Sequence, residues 1–434
     1  MAKYLRITLL SVLIVALLPV TVINGTLAAA QDPVTVQFWT APNPNQEAYW
    51  AGVVEEWNAS HPDIQIEWQP IPTGASSEEV ILNAIATGTA PDISTNIFAG
   101  FAAQMAESGA AVALNEEFAD FWDVAEGHQM RSIIEAGWGL GGNYYVLPLY
   151  SNAMQYWWNL DYLEEAGFEG PPRTYSDVVK LAEAIAVPDE RYVIGFPSPK
   201  NWWDRWFGYL TLYYAANGGA PYLDLENGEV LFDNEAGYGV AAFMDEMFAN
   251  GWAPTDPELV DPLQSGVVAG YVMGPWSIQP TAENFPDFRY VVAPPPVPDD
   301  YPADAPVYTF ADTKGMIMFA QSDAKAEAWE FIKWYYGDIQ HDLAWLEATG
   351  MPPVREDLMT NEVFAAYWEA NPVAAAYASQ VPYGVPPALS SATIPIQRLM
   401  GREMIEPIWR QELLPDEAVD AGAAAIEDFL ALGM

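Results

Sequence analysis

The sequence predicts an α/β protein with a largely parallel sheet. Two observations carry this. Short β-branched or alternating runs take turns with segments of three-to-four apolar spacing, in the order strand, helix, strand, helix, strand. The 434 residues are 51% hydrophobic with 18 Trp and only 17% charged, so apolar surface is ample for cores, and disorder is excluded. At roughly 150 residues per domain, the length suggests two or three domains.

Val34 to Trp39 alternates and is β-branched, which predicts the first strand. Tyr49, Trp50, Val53, Val54 and Trp57 follow at helical spacing. Ile64 to Trp68 alternates again as a second strand. Ser77 to Thr87 predicts a helix ended by Gly88, with Pro91 beyond it, and Asp92-Ile93-Ser94 opens a third strand. The pattern resumes with a strand at Tyr145 to Leu149, a helix at Tyr175 to Ala186 and a strand at Arg191 to Phe196. Two more helices are expected at Ala324 to Tyr336 and at Glu417 to Leu432. Pro294 to Val307, rich in Pro and Asp, is too short to separate free domains, so the two halves should stay packed.

Residues 1–30 stand apart from the fold. Lys3 and Arg6 precede an apolar run from Ile7 to Ile23 and the small residues Ala28-Ala29-Ala30, the pattern of an export signal cleaved before Gln31. The alternative is a retained membrane anchor, but Pro19 and Asn24-Gly25-Thr26 interrupt the run. The expected location is therefore periplasmic or extracellular. With no Cys to acylate, the chain is not a lipoprotein of the bacterial kind.

Charge and motifs exclude several functions. Sixteen basic against 59 acidic residues give a net charge of −43, which rules out coating nucleic acid and disfavours an anionic membrane surface. No Cys means no disulfide, zinc–thiolate site or cysteine nucleophile, and with only His61, His128 and His341 no metal site is expected. Gly137 to Gly142 matches G-x-G-x-x-G, but it follows a helical segment and precedes a strand, so it reads as a turn. No Walker A loop, H-E-x-x-H or G-x-S-x-G occurs; no cofactor and no catalytic residue are expected. Most Trp and Tyr clusters belong in cores. Trp276, after Gly274-Pro275 at the end of a strand-like run, instead projects from a loop, where its face suits the C–H face of a sugar ring.

From here the chain resembles extracellular solute-binding protein family 1, the maltose-binding-protein-like receptors of ATP-driven importers. The matching pieces keep the family's order. They include Gln37-Phe38-Trp39-Thr40, Ala86 to Ile93, Tyr144 to Tyr150, Trp158-Asn159-Leu160-Asp161, Tyr271 to Trp276 and Ala348 to Arg355. The resemblance implies a two-lobed periplasmic-binding-protein fold of type II-like form, with the ligand cleft between lobes. The chain would cross between lobes three times, near Tyr150–Ala153, Val307–Asp312 and Gly350–Val354. Lobe 1 would hold 31–150 with 310–350, and lobe 2 would hold 151–309 with 351–434.

Carried over by position, Trp276 matches the family's cleft Trp and Asn152 falls where maltose-binding protein has a sugar-binding Glu. Asn96 and Phe98 fall at first-lobe ligand contacts, with Trp39, Trp203, Asp204 and Trp206 as weaker positions. The implied function is a monomeric receptor that captures a mono- or oligosaccharide and delivers it to membrane permease subunits of an ABC importer, without chemistry. Two alternatives stay open. One is a glycerol-3-phosphate or polyol binder of the same family, with Lys314, Arg355 or Arg402 meeting the phosphate. The other is a secreted glycoside hydrolase that uses two carboxylates.

Overall fold

The protein is described by a computed structural model that covers residues 33–432, apart from 75, 197–201, 226, 257 and 258; for 202–206 only the backbone is described. The predicted export signal and the Ala30–Gln31 junction lie outside the described residues.

The first sheet has five strands, in the order Ile64–Pro70, Val34–Thr40, Ile93–Ile97, Lys314–Met318, Val146–Tyr150. Its helices start where the local chemistry allows. Asn43 Oδ1 accepts from the backbone N–H groups of Asn45 (3.1 Å) and Gln46 (3.2 Å), and Pro44 follows, so the helix Pro44–Ser60 begins with its free donors met. Ser76 caps Ser77–Thr87, which Gly88 ends at φ 70°, a conformation open to glycine because it has no Cβ. The apolar faces of these helices and of Lys325–Gly337 close a core built on Phe38, Trp50, Trp57, Phe331 and Tyr335.

The second sheet has four strands, in the order Tyr290–Ala293, Gln155–Asn159, Val268–Met273, Tyr192–Gly195. It carries a separate core around Tyr156, Trp158, Tyr209, Tyr213 and Ile396. The aromatic run Tyr156-Trp157-Trp158 is wholly buried, and Trp157 stacks on Tyr290 with ring centres 4.2 Å apart. Two sheets with two cores make the molecule two-lobed.

The sheets are mixed rather than largely parallel. The first three strands of sheet one run parallel, but Lys314–Met318 is antiparallel to both its neighbours, and so is Gln155–Asn159 in sheet two. These two strands are the ones the chain enters directly after crossing from the other lobe. A crossing segment arrives from the opposite side, without the helical return that makes neighbours parallel. The Gly137–Gly142 stretch leads into a small hairpin, Gly139–Leu140 with Asn143–Tyr144, turned at Gly141 and Gly142 with φ of 59° and 84°.

Three segments connect the lobes, and they hydrogen-bond to one another. Ser151 N–H donates to Pro352 O (2.9 Å), Asp312 N–H to Asn152 O (3.1 Å) and Met154 N–H to Phe310 O (2.8 Å). Met351 and Val354 pack in the first core, and Glu356 accepts from Ser132 N–H at 2.8 Å. Residues 351–356, expected with the second lobe, thus stay on the first. Past them, Leu358, Phe364 and Trp368 form a smaller cluster with Leu346.

Candidate ligand cleft

The crossing strands have two faces. Because side chains alternate along extended chain, Ser151 and Thr313 turn one way, their hydroxyls 3.2 Å apart. Tyr150, Asn152, Asp312 and Lys314 turn the other way.

The face with Ser151 and Thr313 opens on a cavity of about 710 Å³, walled by Trp138, Tyr308, Pro386 and Arg355 among others. Its main polar groups are already satisfied. Arg355 is 5% exposed and gives Nη1 to Asp342 (3.0 Å), and Nε and Nη2 to Asp357 (2.8 and 3.0 Å). Burial pushes Asp342 up and His128 down, and His128 Nε2 lies 3.6 Å from the Asp342 carboxylate. Arg355 is therefore committed within its own chain.

The opposite face carries unmet polar groups. Asn152 is buried and its Oδ1 has no partner; the same holds for Gln46 Oε1, at the start of the helix Pro44–Ser60. Burial drives the Tyr150 hydroxyl well above its ordinary pKa, with a Gln46 hydrogen bond opposing and the Asp312 charge adding to the shift. Gln46, Tyr150 and Asp312 thus share one place. Lys314 Nζ sits 3.0 Å from Asp312 and 4.8 Å above the Phe98 ring. A buried amide oxygen without a donor costs on the order of 1–3 kcal/mol, which a hydroxyl or N–H from a ligand would relieve. Unpartnered atoms also occur on core rings such as Trp50, Trp158 and Tyr156, on His128 Nε2 beside Asp342 and on Gln380 Oε1, all of them off the crossing strands.

Both lobes frame this face. Asn45 Nδ2 donates to Gln279 Oε1 at 2.5 Å on one side. On the other, Ser391 donates to Glu107, and Thr393 stands where a Cβ on Gly100 would meet it at 2.9 Å. Trp276 lies in the 3₁₀ turn Pro275–Ser277, three residues before Gln279, and is 40% exposed while nearly every other Trp described is packed. Its ring folds back over Gly274, where any Cβ would fall within 2.1 Å of it, so the glycine is required by close approach.

The expected site residues separate into groups. Phe98 and Asn152 lie on the crossing face with Asp312 and Lys314, and Trp276 is on the second-lobe rim. Asn96 takes a left-handed backbone, φ 65°, which Asn tolerates better than most residues, and its amide donates to Ser77 Oγ at 3.3 Å. Trp39 is half-buried in its strand, opposite Gln69 and Ser94. Trp203, Asp204 and Trp206 fall in the first five residues of Trp202–Ala216, and their side chains lie outside the described residues. Sequence reading missed Gln46, Asp312 and Gln279. The polar run Asn43 to Gln46 directly after the first strand was the available signal for Gln46. Asp312 closes the expected crossing Val307–Asp312, whereas Gln279 had no signal, because only the folded chain brings it beside Asn45.

Two lobes, three paired crossings and an inter-lobe face with unmet polar groups define a binding protein of the clamshell class. The profile described as "Bacterial extracellular solute-binding protein" matches residues 41–341, more than half the chain, and the chain belongs to that family. The crystal structure of an uncharacterized protein from Listeria monocytogenes is similar, at 35% identity and TM-score 0.83 over 92% of this chain and 99% of that one. The cyclic alpha-maltosyl-1,6-maltose binding protein of Arthrobacter globiformis shares the fold at 20% identity and TM-score 0.79, over 92% of this chain and all of that one. The maltotriose-binding protein of Pyrococcus abyssi is 26% identical over 312 residues, covering 69% of this chain and 62% of that relative's length. Among the described residues, no helix is long and apolar enough to cross a membrane.

Proposed function

We propose that this protein is an exported, non-catalytic receptor that closes on an uncharged oligosaccharide in the cleft and delivers it to the permease of an ATP-driven importer. The observation that carries this reading is the pair of buried, unpartnered amide oxygens, Asn152 Oδ1 and Gln46 Oε1, at the junction of the lobes. They ask for donors, and sugar hydroxyls supply them while Trp276 offers a ring face across the cleft. The names of the Pyrococcus and Arthrobacter relatives, both binders of maltose-based sugars, support the ligand class.

Three features favour a neutral ligand over a phosphorylated one. Lys314 is paired with Asp312, Arg355 with two carboxylates, and Arg402 with Glu403. No cofactor takes part. Ligand contact with both lobes favours the closed form, and only that differential affinity shifts the balance. A thermal-shift and calorimetry panel of sugars and polyols, on the mature protein after chelator treatment, tests the reading. A raised melting midpoint with at least one neutral sugar, no release of reducing ends, and a smaller radius of gyration with ligand are the expected results. Preferential binding of glycerol 3-phosphate, or sustained turnover after repurification, would overturn it.

A further inference from the structure

A second inter-lobe cavity, of about 620 Å³, lies beyond the Trp276 rim. Its walls come from both lobes: Leu343 and Glu347 of the helix Ile339–Thr349, Ile278 and Gln279 behind Trp276, and Tyr367 with Asn371 from the last third of the chain. Gln279 belongs to this wall and to the cleft rim at once. Its Oε1 accepts from Asn45 Nδ2, which is the residue next to Gln46 on the cleft face. Trp276 and Gln279 are three residues apart, in the 3₁₀ turn Pro275–Ser277 and the helix Ile278–Asn284 that follows it.

We propose that Gln279 is a specificity-determining gate between the cleft and this chamber, and that the chamber receives the far end of an oligosaccharide too long for the cleft alone. The inference rests on the carbohydrate reading above. The gate is a single exposed amide–amide hydrogen bond, which a ligand hydroxyl can replace on either partner without leaving a group unpaired. The chamber's volume is within the range of small-molecule sites. Its chemistry also fits: the Tyr367 ring and the Val363, Ala370 and Pro372 side chains offer apolar faces, while Glu347, Asn371 and Gln279 supply polar contacts. Glu347 is the one charged residue in the lining, so the chamber suits a neutral, donor-rich chain and repels an anion.

The test is titration calorimetry of the mature protein with two series, maltose to maltohexaose and cellobiose to cellohexaose, on the parent and two variants. Gln279→Ala removes the gate, and Ala370→Trp fills the chamber from a wall that does not border the cleft. Melting midpoints of the variants establish that both are folded. The parent is expected to bind longer members of one series more tightly. Ala370→Trp should cut affinity for the longest member tenfold or more and leave the disaccharide within twofold. Gln279→Ala should raise the long-to-short affinity ratio several-fold. If sugars bind but both folded variants keep the parental length profile, this inference is overturned and the receptor reading stands. If no member of either series binds the parent, this inference falls, and the sugar and polyol panel alone decides the carbohydrate reading.

Discussion

The Arg355 cluster and the floor of the cleft lie on opposite faces of the same crossings, and they handle burial in opposite ways. Around Arg355, three guanidinium nitrogens meet Asp342 and Asp357 at 2.8 to 3.0 Å, and Asn361 adds a fourth donor to Asp357 at 2.8 Å. On the cleft floor, Asn152 and Gln46 each bury an amide oxygen that nothing in the chain meets. In the first arrangement the guanidinium has its partners without a ligand and ties the third crossing to the first lobe. The second is incomplete, and its deficit is what a ligand can fill. The cavity of about 710 Å³ adjoins Arg355, on the face whose guanidinium is already paired.

The contrast is most exposed to test at Arg355. Arg355→Met leaves Asp342 and Asp357 without their cation, and a broken buried ion pair costs about 3 to 5 kcal/mol. Denaturant unfolding should show that loss, while the folded fraction keeps parental ligand affinity. Weakened binding with unchanged stability would mean that the cluster belongs to the site.

Trp276→Ala should do the reverse. Loss of an exposed aromatic platform is expected to weaken binding by about 1 to 3 kcal/mol with the melting midpoint of the free protein unchanged. Equal affinity of variant and parent in calorimetry would remove Trp276 from the cleft.

Asn152→Leu sharpens the comparison further. Removing an unsatisfied acceptor should leave the free protein as stable or more so, while ligand binding loses about 1 to 1.5 kcal/mol, the worth of one neutral hydrogen bond. A destabilised free protein would show that Asn152 already has a structural partner.

The last effect concerns acid. Burial by itself raises the Asp357 carboxyl, but hydrogen bonds from Arg355 and Asn361 outweigh it and hold the group below its ordinary 3.8. A carboxyl lowered on folding contributes stability above its unfolded value and loses it as pH falls through the folded one. Asp357→Asn should therefore lower stability by about 1 to 2 kcal/mol at neutral pH, and the gap to the parent should shrink below pH 3.8. Midpoints that stay equally far apart down to pH 3 would refute the assignment.

Much of this was legible in the chain itself. Alternating runs and helical spacing located most of the major elements, because period 2 and period 3.6 reflect which face of each segment is buried. Gly274-Pro275-Trp276 and the Asn152 position suggested candidate ligand contacts through local geometry and family resemblance, and calorimetry on Trp276→Ala and Asn152→Leu decides them. Strand direction was not legible: Lys314–Met318 and Gln155–Asn159 run antiparallel to their neighbours because of where the crossings enter each sheet, which residue order along one strand does not encode. Nor was Arg355 legible as structural: Asp357 stands only two residues on, but the buried partner Asp342 lies thirteen residues earlier on another element, and only folding joins the three.

By itself, then, the sequence determined the elements, the absence of thiol chemistry, the acidic balance and the family, all properties of composition and short-range pattern. Only the tertiary structure decided which polar groups are spent and which are unmet. Whether Arg355, Lys314, Gln46 or Asn152 has a partner depends on atoms brought within about 3 Å from distant parts of the chain, and hydrogen bonds and ion pairs act only at that range.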